Sequence, residues 1–552
     1  MPDIVLVQPP IEDFFLTAKR TVPYGLALIA AALEQAGFSV EIIDGLATGR
    51  SRVISRPPEM EYLEPFYGRP DVSPFGLFHH YRHFGYSFAY LAQRVRESGA
   101  FLAGISALFT PYHEMALKTA AAIRQACPEI RIVVGGHHAT VLPQNVLAAK
   151  EVDFVIRGEG EEAMVALAQW LRQGGRPAAD TLAKIPGLAW RRPEGDPVIP
   201  PPAVVENLAA QPRPASHLLK ASFYRRRGRG SIVVSASRGC PFDCGYCAVN
   251  RDSWQPYRRR PVTAVLDEIQ NEWERQEIGF IDFEDENLSL EREWFIELLA
   301  GLTKLRRKRK FEVRAMNGLF PPSLDDELLA LLPAAGFRTL NLAVVSCNRD
   351  QLARFRRPDV DPAHARVVAT AARLGLETVS YLIAAAPGQT AASSLTDLLR
   401  LFRRRTLIGL SIFYPVPGSR EYERAASSGL LPERLSLLRS SALPLNQDGV
   451  CSRIEAATLL RLSRIANFIR YLDQTGLELP RPERFPQKAR PPAIIPTPLP
   501  DPLSERTRQG IELLAWFLAD GRIRGLTPAG EIYEHTVART LTRQFQNTIL
   551  CH

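Results

Sequence analysis

The chain has 552 residues, of which 46% are hydrophobic and 23% are charged, and its formal net charge is +9. This length predicts a globular protein with two to four domains, each with its own core. No apolar stretch approaches the ~20 residues that cross a bilayer, so we expect no membrane segment and a cytoplasmic protein.

The cysteines are too unevenly spaced for a disulfide framework. Three of the seven fall within eight positions, and the other four, Cys127, Cys347, Cys451 and Cys551, are scattered. This distribution favours a ligand cluster in a reducing compartment. The arginine and lysine runs, such as "FYRRRGRG" and "LRRKRK", are dispersed and lack interleaved aromatic residues, so we interpret them as solvated surface, with a nucleic-acid partner not indicated.

Residues 1–190 alternate short apolar runs with amphipathic helical patterns. The runs "DIVLVQPP", "SVEIID", "FLAGIS", "RIVVGG" and "DFVIRGEG" are typical of buried parallel strands. They predict a doubly wound, Rossmann-like domain whose ligand lies at the carboxyl ends of the strands. The proline- and aromatic-rich insertion between Gly45 and Tyr86 is too long for an ordinary connection, and it predicts a lid or a specialised loop over that ligand.

The remaining chain divides into three parts. Residues 191–230 are rich in proline and arginine and predict a linker that wraps around the protein. Residues 231–430 hold about six strand–helix units in series, which predict a central partial (β/α)6 barrel of parallel strands. Residues 431–552 predict a mainly helical domain that shapes the substrate pocket. The expected fold class is therefore α/β throughout the first two domains, with a helical third.

The stretch "GCPFDCGYC" places Cys240, Cys244 and Cys247 in a CxxxCxxC spacing. A structural zinc site needs four ligands, and no second cysteine or histidine pair stands within reach. Three thiolates suit a 4Fe-4S cluster with one iron left open for another ligand, and Arg238 adds a positive charge beside this anionic group.

With an aromatic residue before the last cysteine, this motif resembles that of the radical SAM enzymes, in which the open iron binds S-adenosylmethionine (SAM). The downstream segments "FEDENLSL", "YLIAAAPGQT" and "SIFYPVPGSREYE" are similar to further motifs of that family, in the same order. The resemblance implies that the three cysteines bind the cluster. It also implies these SAM contacts: Tyr246, Asp285, Glu286, Asn287, Ser346, Pro387, Gly388 and Pro415.

The N-terminal domain together with this core resembles the cobalamin-dependent radical SAM proteins. The segments that carry the resemblance are "TVPYGLALIAAALEQAGFSVEIID", "GISALFTPYHEMALKTAAAIRQACPEIRIVVGGHHATVLPQ" and "EVDFVIRGEGEEAM". It implies cobalamin contacts from residues at the strand ends, namely Ser106, Thr110, Gly135, Gly136, His138, Gly158 and Glu159.

Two departures from the family patterns stand out. The loop after the first strand, "VQPPIEDFF", lacks the motif whose histidine binds cobalt from below in classical cobalamin domains, and "DGLATG" has its frame after a different strand, with Leu46 in place of the histidine. A group from the insertion is therefore expected to fill or guard that face, with Arg69, Tyr81 and His83 as candidates. Val345 stands where such enzymes carry a SAM-binding glutamate. A variant that methylates an sp2 carbon without an adenosyl radical, similar to tryptophan C2-methyltransferases, therefore stays open.

The resemblance implies transfer of a methyl group from SAM, by way of methylcobalamin, to a carbon or phosphorus atom of a small-molecule or peptide-derived substrate. It further implies three cofactors, a 4Fe-4S cluster, SAM and cobalamin, and an external electron donor of the flavodoxin or ferredoxin type. Two alternatives remain: a cobalamin-dependent ring contraction or cyclisation, and an RNA-modifying radical SAM protein.

Overall fold

A computed structural model describes residues 1–15, 21–174, 179–192, 194–249, 255–480 and 504–550, and Cys551 lies outside these ranges. The chain divides into two compact units. Unit 1 comprises Met1–Ile54, Arg82–Arg338 and Val416–Glu423, and unit 2 comprises Ser55–Tyr81, Thr339–Pro415 and Arg424–His552. Among the described residues, no helix has both the length and the apolar character needed to span a membrane.

The elements up to residue 198 form the predicted N-terminal domain and part of its insertion. In chain order they are β1 (Ile4–Gln8), β2 (Ile11–Asp13), α1 (Tyr24–Gln35), β3 (Val40–Asp44), β4 (Ser51–Val53), α2 (Glu64–Tyr67), β5 (Arg82–Phe84), α3 (Phe88–Ser98), β6 (Leu102–Ser106), α4 (His113–Ala126), β7 (Arg131–Gly135), α5 (His137–Val141), α6 (Pro143–Leu147), β8 (Phe154–Ile156), α7 (Glu161–Arg172), α8 (Ala179–Leu182), β9 (Leu188–Arg191) and β10 (Pro197–Val198).

A seven-stranded sheet in the order β10-β9-β8-β7-β6-β1-β3 organises this domain. Five neighbouring strands, β3, β1, β6, β7 and β8, are parallel, while β9 and β10 are antiparallel additions at one edge. From β1 the chain first adds β3 on one side and then β6 on the other, so the strand order reverses between β1 and β6. The predicted Rossmann-like fold is confirmed, and its ligand crevice is expected at the carboxyl ends of β1 and β6.

The apolar strands are continuous because both faces of this sheet are covered. All five residues of β1 are buried. Ile4 and Leu6 pack in a core with residues of α1 and α7, whereas Val5 and Val7 pack in a second core with residues of α3 and α4. Successive side chains of a strand point to opposite faces, so each core receives every second residue.

The predicted linker and insertion both contribute structure to unit 1. Residues of the 191–230 segment extend the sheet through β10, and the backbone of Ala203 pairs with that of Gly158. From the insertion, β4 and β5 join β2 in a small antiparallel sheet. Part of the predicted linker therefore pairs with the edge of the sheet.

Unit 1 continues with the first half of the predicted barrel. Its elements are β11 (Arg225–Arg226), β12 (Arg229–Val234), β13 (Ser237–Arg238), β14 (Arg258–Arg259), α9 (Val262–Arg275), β15 (Ile278–Phe283), α10 (Arg292–Lys308), β16 (Glu312–Ala315) and α11 (Asp326–Ala335). Strands β12, β15 and β16 are parallel neighbours, and β11 forms a hairpin with β12. The short strands β13 and β14 form an antiparallel ribbon from which the cysteine loop leaves and to which it returns.

Unit 2 holds the second half of the barrel strands and the C-terminal helices. In chain order the elements are β17 (Thr339–Val345), α12 (Arg349–Arg354), α13 (Asp361–Arg373), β18 (Glu377–Ala384), α14 (Ala391–Arg403), β19 (Leu407–Ile412), α15 (Arg420–Ser427, which crosses the unit boundary), α16 (Arg453–Gln474), α17 (Glu505–Asp520), β20 (Arg524–Leu526), β21 (Ile532–Glu534) and α18 (Arg539–Leu550).

The six barrel strands occur as two sheets rather than one. Strands β17, β18 and β19 are parallel and form their own three-stranded sheet. The boundary between the units falls between Arg338 and Thr339, inside the predicted 231–430 domain. The α/β class is confirmed and each sheet holds three parallel strands, whereas assembly of the six strands into a partial barrel stays a prediction. The C-terminal region is mainly helical, as expected, with one hairpin formed by β20 and β21.

The insertion residues 55–81 are anchored inside unit 2. The buried guanidinium of Arg461 on α16 donates hydrogen bonds to the carbonyl oxygens of Phe66 at 2.9 Å and Phe75 at 3.4 Å. His535 lies 2.7 Å from the carboxylate of Asp71 in the same buried network. This half of the insertion is therefore held by side chains more than 300 positions away in sequence.

Candidate cofactor site

A cavity of about 420 Å³ lies in unit 1 at the carboxyl ends of strands from two sheets. The Rossmann-like sheet contributes the residues that follow β1, β6, β7 and β8, and the second sheet contributes the residues that follow β12, β15 and β16. The polar or glycine residues of its lining are Gln8, Tyr24, Gly25, Gly104, Ser106, Gly135, Gly136, His137, Thr140, Gly158, Glu159, Gly160, Glu161, Ser235, Arg238, Gln255, Glu284, Glu286 and Asn317. The cavity is thus lined by strand ends of the Rossmann-like sheet and of the first barrel sheet, and Glu286 is the predicted SAM contact in its lining.

Five of the predicted cobalamin contacts line this cavity: Ser106, Gly135, Gly136, Gly158 and Glu159. Thr110 and His138 are outside its lining. The lining residues come from loops that follow parallel strands, which is where doubly wound folds bind their ligands.

His138 is part of the protein's interior rather than of the cavity wall. Its side chain is fully buried, with one ring nitrogen 3.3 Å from Thr110 Oγ1 and the other 3.0 Å from Asn145 Oδ1. Its ring also packs 4.5 Å from that of His113. Burial, with the charge of His113, lowers the pKa of His138 to about 4, so the ring is neutral. Thr110 and His138 thus contact each other, and their contacts with cobalamin stay a prediction.

The neighbouring His137 is the histidine that faces the cavity. It is exposed to that space at the start of α5, directly after Gly136. The motifs predicted a contact for His138 and not for His137, although His137 is the first helical residue after the strand-end Gly136 and so lies at the ligand edge.

Two of the three strand-end glycines, Gly136 and Gly158, are required by the conformation and close packing of the backbone. Gly136 and Gly158 have φ values of +115° and +83°, and a Cβ would lie 2.7 Å from Ala107 O at the former and 2.2 Å from Ala203 O at the latter. Only glycine adopts these conformations without strain. Gly135 differs, because a Cβ there would meet no atom closer than 3.7 Å. Gly135 is thus the position where the backbone is open to a ligand.

The three candidates for the lower face of cobalt are all engaged elsewhere. Arg69 belongs to unit 2, where its guanidinium lies 2.6 Å from the Glu531 carboxylate and 4.2 Å from the ring centre of Tyr533. In unit 2 the hydroxyl of Tyr81 accepts a hydrogen bond from Arg439. His83 in unit 1 contacts the carboxylate of Glu12 with one ring nitrogen and the carbonyl of Tyr86 with the other. The structure gives each of them a protein partner, and a role at the lower face of cobalt stays a prediction.

The cysteine loop places three thiols in a largely buried setting. Cys244 is buried, and Cys240 and Cys247 are half-buried. Burial raises the pKa of Cys247 to about 12; the backbone N–H of Val249 opposes this rise, and the nearby thiols add to it. Within the described ranges, no group of three or more His, Cys, Asp or Glu side chains is arranged to hold a single metal ion.

The loop is fastened from the segment after β19. Arg420 forms an ion pair with Asp243 at 3.0 Å, and the backbone N–H of Glu421 donates to the carbonyl of Gly245 at 2.9 Å. These contacts lie within unit 1. The "PVPGSREYE" segment, predicted to pass the adenine of SAM, thereby supports the cluster loop.

Three predicted SAM contacts follow β15. The buried carboxylate of Asp285 accepts hydrogen bonds from the backbone of Ala236 and Ser237, so its place in the structure is that of a support. Glu286 lines the cavity, and burial raises its pKa to about 7. The side-chain oxygen of Asn287 is buried without a hydrogen-bond partner among the described residues. Tyr246 lies half-buried in the cysteine loop.

The other four predicted SAM contacts belong to unit 2. Ser346 is fully buried, and its hydroxyl donates to Asp397 at 2.6 Å, while its ribose contact stays a prediction. Pro387 and Gly388 form the turn after β18, and Pro415 follows β19. These turns lie at the carboxyl ends of parallel strands, as the motif order predicted.

The residues present fit an iron–sulfur cluster and a polar ligand. Three neighbouring thiols, one with a raised pKa, release protons when a metal binds them, because the cation stabilises the thiolates. Gln255 Oε1 and Asn287 Oδ1 are buried and lack partners within the described part of the chain, and Gln255 lines the cavity. Buried polar atoms are normally satisfied, so these orphans indicate groups that a ligand completes.

Known families and proteins agree with this arrangement. Residues 78–168 match the model of the B12 binding domain, and residues 234–401 match that of the radical SAM superfamily. An uncharacterized methyltransferase of Pyrococcus horikoshii is 24% identical over 437 residues, which cover 78% of this chain and 84% of that protein. The anaerobic magnesium-protoporphyrin IX monomethyl ester cyclase of Rubrivivax gelatinosus is 28% identical over 299 residues, 53% of this chain and 52% of the cyclase.

Among solved structures, the radical SAM methyltransferase TsrM from Kitasatospora setae, with cobalamin and a [4Fe-4S] cluster bound, matches with a TM-score of 0.58. The match covers 78% of this chain and 75% of TsrM at 17% identity, which shows a shared fold. The two domain matches confirm the predicted cobalamin, SAM and 4Fe-4S cofactors. The chain therefore joins a segment that matches the B12 binding domain to a segment that matches the radical SAM superfamily, in the order that the sequence motifs predicted.

Proposed function

We propose that this chain is a methyltransferase that moves a methyl group from SAM, by way of bound cobalamin, to a carbon or phosphorus atom of a small-molecule or peptide-derived substrate. The observation that carries the proposal is the shared cavity of unit 1. The carboxyl ends of the B12-domain strands and the residues around the cysteine loop line one space of about 420 Å³. A methyl group that passes from one cofactor to the other needs such adjacency.

The chain's own residues bind and orient the reactants. Cys240, Cys244 and Cys247 would hold the cluster, and Ser106 with the open backbone at Gly135 would contact the corrin. When bound, cobalamin supplies a cobalt nucleophile that can accept and deliver a methyl group, and the cluster supplies single electrons. The apolar strand residues behind the cavity exclude water from it, which protects reactive species from side reactions.

The named relatives support methyl transfer and also favour a second candidate. The Pyrococcus horikoshii protein is named a methyltransferase, whereas the Rubrivivax gelatinosus protein is a cyclase of which this chain spans about half. A cobalamin-dependent cyclisation is therefore the second candidate. The two differ in a product of SAM, because only methyl transfer must release S-adenosylhomocysteine.

The experiment uses the full chain, reconstituted without oxygen with iron, sulfide and hydroxocobalamin and then desalted. We expect a corrin absorption band and an iron–sulfur band to remain with the protein. After reduction with titanium(III) citrate, addition of SAM should release a stoichiometric amount of S-adenosylhomocysteine. Bound zinc in place of iron, or loss of the corrin band, would overturn the proposal, and 5′-deoxyadenosine without S-adenosylhomocysteine would favour the cyclase.

The matched variants are Cys247→Ser and Cys127→Ser. The first removes a proposed cluster ligand, so iron content should fall to background. The second changes a half-buried cysteine outside the motif and should leave iron content at the wild-type value. The same preparation measures whether 5′-deoxyadenosine forms, which tests the effect of Val345 at the position of the family's glutamate.

We also propose a cytoplasmic location and an external reductant of the flavodoxin or ferredoxin type. A thiol trio that binds iron persists in a reducing compartment, which supports the location. The reductant is required because both cofactors act in reduced states. Reduction of the reconstituted protein by a purified flavodoxin and its reductase, followed by visible absorption, tests this pairing.

A further inference from the structure

Two arginines face each other at the neck of the cysteine loop. Arg238 on β13 and Arg258 on β14 are direct partners in the antiparallel ribbon. The loop that carries Cys240, Cys244 and Cys247 leaves the ribbon after Arg238 and returns before Arg258. The direction of these two side chains therefore sets how the loop is held against its surroundings.

Both guanidinium groups bind the same carboxylate of the B12 domain. Arg258 contacts both oxygens of Glu159, at 2.6 and 2.9 Å, and Arg238 lies 3.4 Å from Glu159 Oε2. Arg238 also contacts Glu161 at 2.6 Å. The backbone N–H of Val205 donates to Glu159 Oε2 at 2.6 Å. Two arginines and two glutamates thus form a neutral network between the cysteine loop and the loop after β8.

The network is largely buried, so its geometry matters. The carboxylate side chains of Glu159 and Glu161 are each 6% exposed, and the side chains of Arg258 and Arg238 are 13% and 16% exposed. Burial alone would raise the pKa of Glu159, but the hydrogen bonds of Arg258 and the charge of Arg238 lower it below the usual value. A two-pronged arginine–carboxylate contact fixes orientation as well as distance, and removal of one partner leaves a buried charge uncompensated.

The backbone at Glu159 is tightly packed and has little room to move. Gly158 has a φ of +83°, and a Cβ there would lie 2.2 Å from Ala203 O, so two backbones are already in close contact. The N–H of Glu159 donates to the same Ala203 carbonyl at 2.9 Å. The acidic side of the network therefore stands on a rigid part of the sheet edge.

We propose that Glu159 and Glu161 are positioning residues, which lock the neck of the cysteine loop to the cavity edge of the B12 domain through Arg258 and Arg238. This replaces the cobalamin contact predicted for Glu159. The inference rests on the proposed function, since a fixed distance between loop and edge serves methyl transfer between two cofactors. Its first test needs neither cofactor nor catalysis.

The first measurement is amide hydrogen exchange of residues 239–249 in the full chain without cofactors. Glu159→Gln keeps the shape of the side chain and removes its charge, so we expect exchange in this loop to rise about tenfold or more. Glu162→Gln is the matched control, because Glu162 is exposed on the same helix turn; it should exchange as the wild type does. Wild-type exchange in the loop of Glu159→Gln would overturn the inference.

Arg258→Lys covers the case in which Glu159→Gln does not fold. This variant keeps the positive charge but loses the two-pronged contact, so loop exchange should rise by a smaller factor, about threefold. The double variant Glu159→Gln/Arg258→Gln removes both partners. Its fold increase in loop exchange should be smaller than the product of the fold increases measured for Glu159→Gln and Arg258→Gln alone. Independent, multiplicative effects would contradict a direct coupling.

The rate of S-adenosylhomocysteine formation by the reconstituted enzyme distinguishes a positioning role from a purely structural one. We expect Glu159→Gln to retain wild-type iron and corrin content while S-adenosylhomocysteine formation slows about 100-fold with an unchanged KM for SAM. A loss of bound cofactor with an unchanged turnover rate per bound cofactor would contradict the positioning role of Glu159. If the wild type itself releases no S-adenosylhomocysteine, the proposed function fails, while the exchange experiment still decides the network.

Discussion

The carboxylate of Asp285 accepts hydrogen bonds from the backbone N–H of Ser237 at 2.5 Å and from its hydroxyl at 2.6 Å. The N–H of Ala236 adds a further contact at 3.1 Å. The turn after β15 thereby fixes the strand that leads into the cysteine loop. Burial raises the pKa of Asp285 to about 6, and these hydrogen bonds oppose that rise. Asp285 of the acidic motif thus holds the segment that leads into the cysteine loop.

Replacement of Asp285 should therefore weaken cluster assembly. Asp285→Ala leaves the buried N–H groups of Ala236 and Ser237 without an acceptor, at a cost of about 1 to 3 kcal/mol each. We expect less iron per chain after anaerobic reconstitution and a lower free energy of unfolding in urea. Asp267→Ala, at an exposed position on α9, should change neither quantity. Normal iron content in Asp285→Ala would show that the loop is ordered without this support.

The pH dependence of unit 2 should carry the signature of Asp71. Burial would raise its pKa, but contacts with His535, Ser73 and the N–H of Leu526 lower it from 3.8 to about 2. The stabilisation is present above pH 3.8 and is lost as pH falls toward 2, because the unfolded chain takes up the proton first. At neutral pH it amounts to about 2 kcal/mol.

The measurement compares urea unfolding of wild type and Asp71→Asn at pH 7 and pH 3. The variant should be less stable at pH 7, since the buried Arg461 loses its counter-charge 3.7 Å away. The gap between the two proteins should narrow at pH 3. Glu433→Gln, an exposed carboxylate change in the same unit, is the control. A constant gap at both pH values would contradict the lowered pKa of Asp71.

The turn of the hairpin between β11 and β12 holds a non-glycine residue in a strained backbone conformation that a substitution can relieve. Arg227 and Gly228 form its two-residue turn with φ values of +49° and +76°. This turn type favours Asn-Gly, and an ordinary side chain in the left-handed region costs about 1 kcal/mol. Arg227→Asn should raise the free energy of unfolding by about 0.5 to 1 kcal/mol. Arg225→Asn, in the extended strand β11, should bring no gain, and equal effects would contradict the turn assignment.

The sequence predicted those features that arise from local periodicity. Parallel strands buried on both faces are continuous apolar runs, so β1, β3, β6, β7 and β8 were recognisable, and with them the ligand edge of the sheet. The CxxxCxxC spacing likewise predicted three candidate cluster ligands, because three closely spaced thiolates suit a 4Fe-4S cluster with one open iron.

Side-chain partners from distant parts of the chain were beyond local reasoning. Arg69 has the charge of a cofactor contact, yet it binds Glu531, 462 positions later. Glu159 has the position of a cobalamin contact, yet two arginines of the other domain bind its carboxylate. Such outcomes depend on which surfaces the tertiary fold brings together, and no periodicity encodes them.

The adjacent histidines after β7 should show opposite phenotypes. His138→Ala removes the buried partner of Thr110 and Asn145, so the free energy of unfolding of the cofactor-free protein should fall by about 2 to 4 kcal/mol. His137→Ala removes a side chain that faces the cavity, so the same quantity should change by less than about 0.5 kcal/mol, while the dissociation constant of hydroxocobalamin rises about tenfold. Urea unfolding and equilibrium dialysis measure the two quantities. Because the residues are neighbours of the same type, each variant is the control for the other, and an exchange of the two phenotypes would return the cofactor contact to His138.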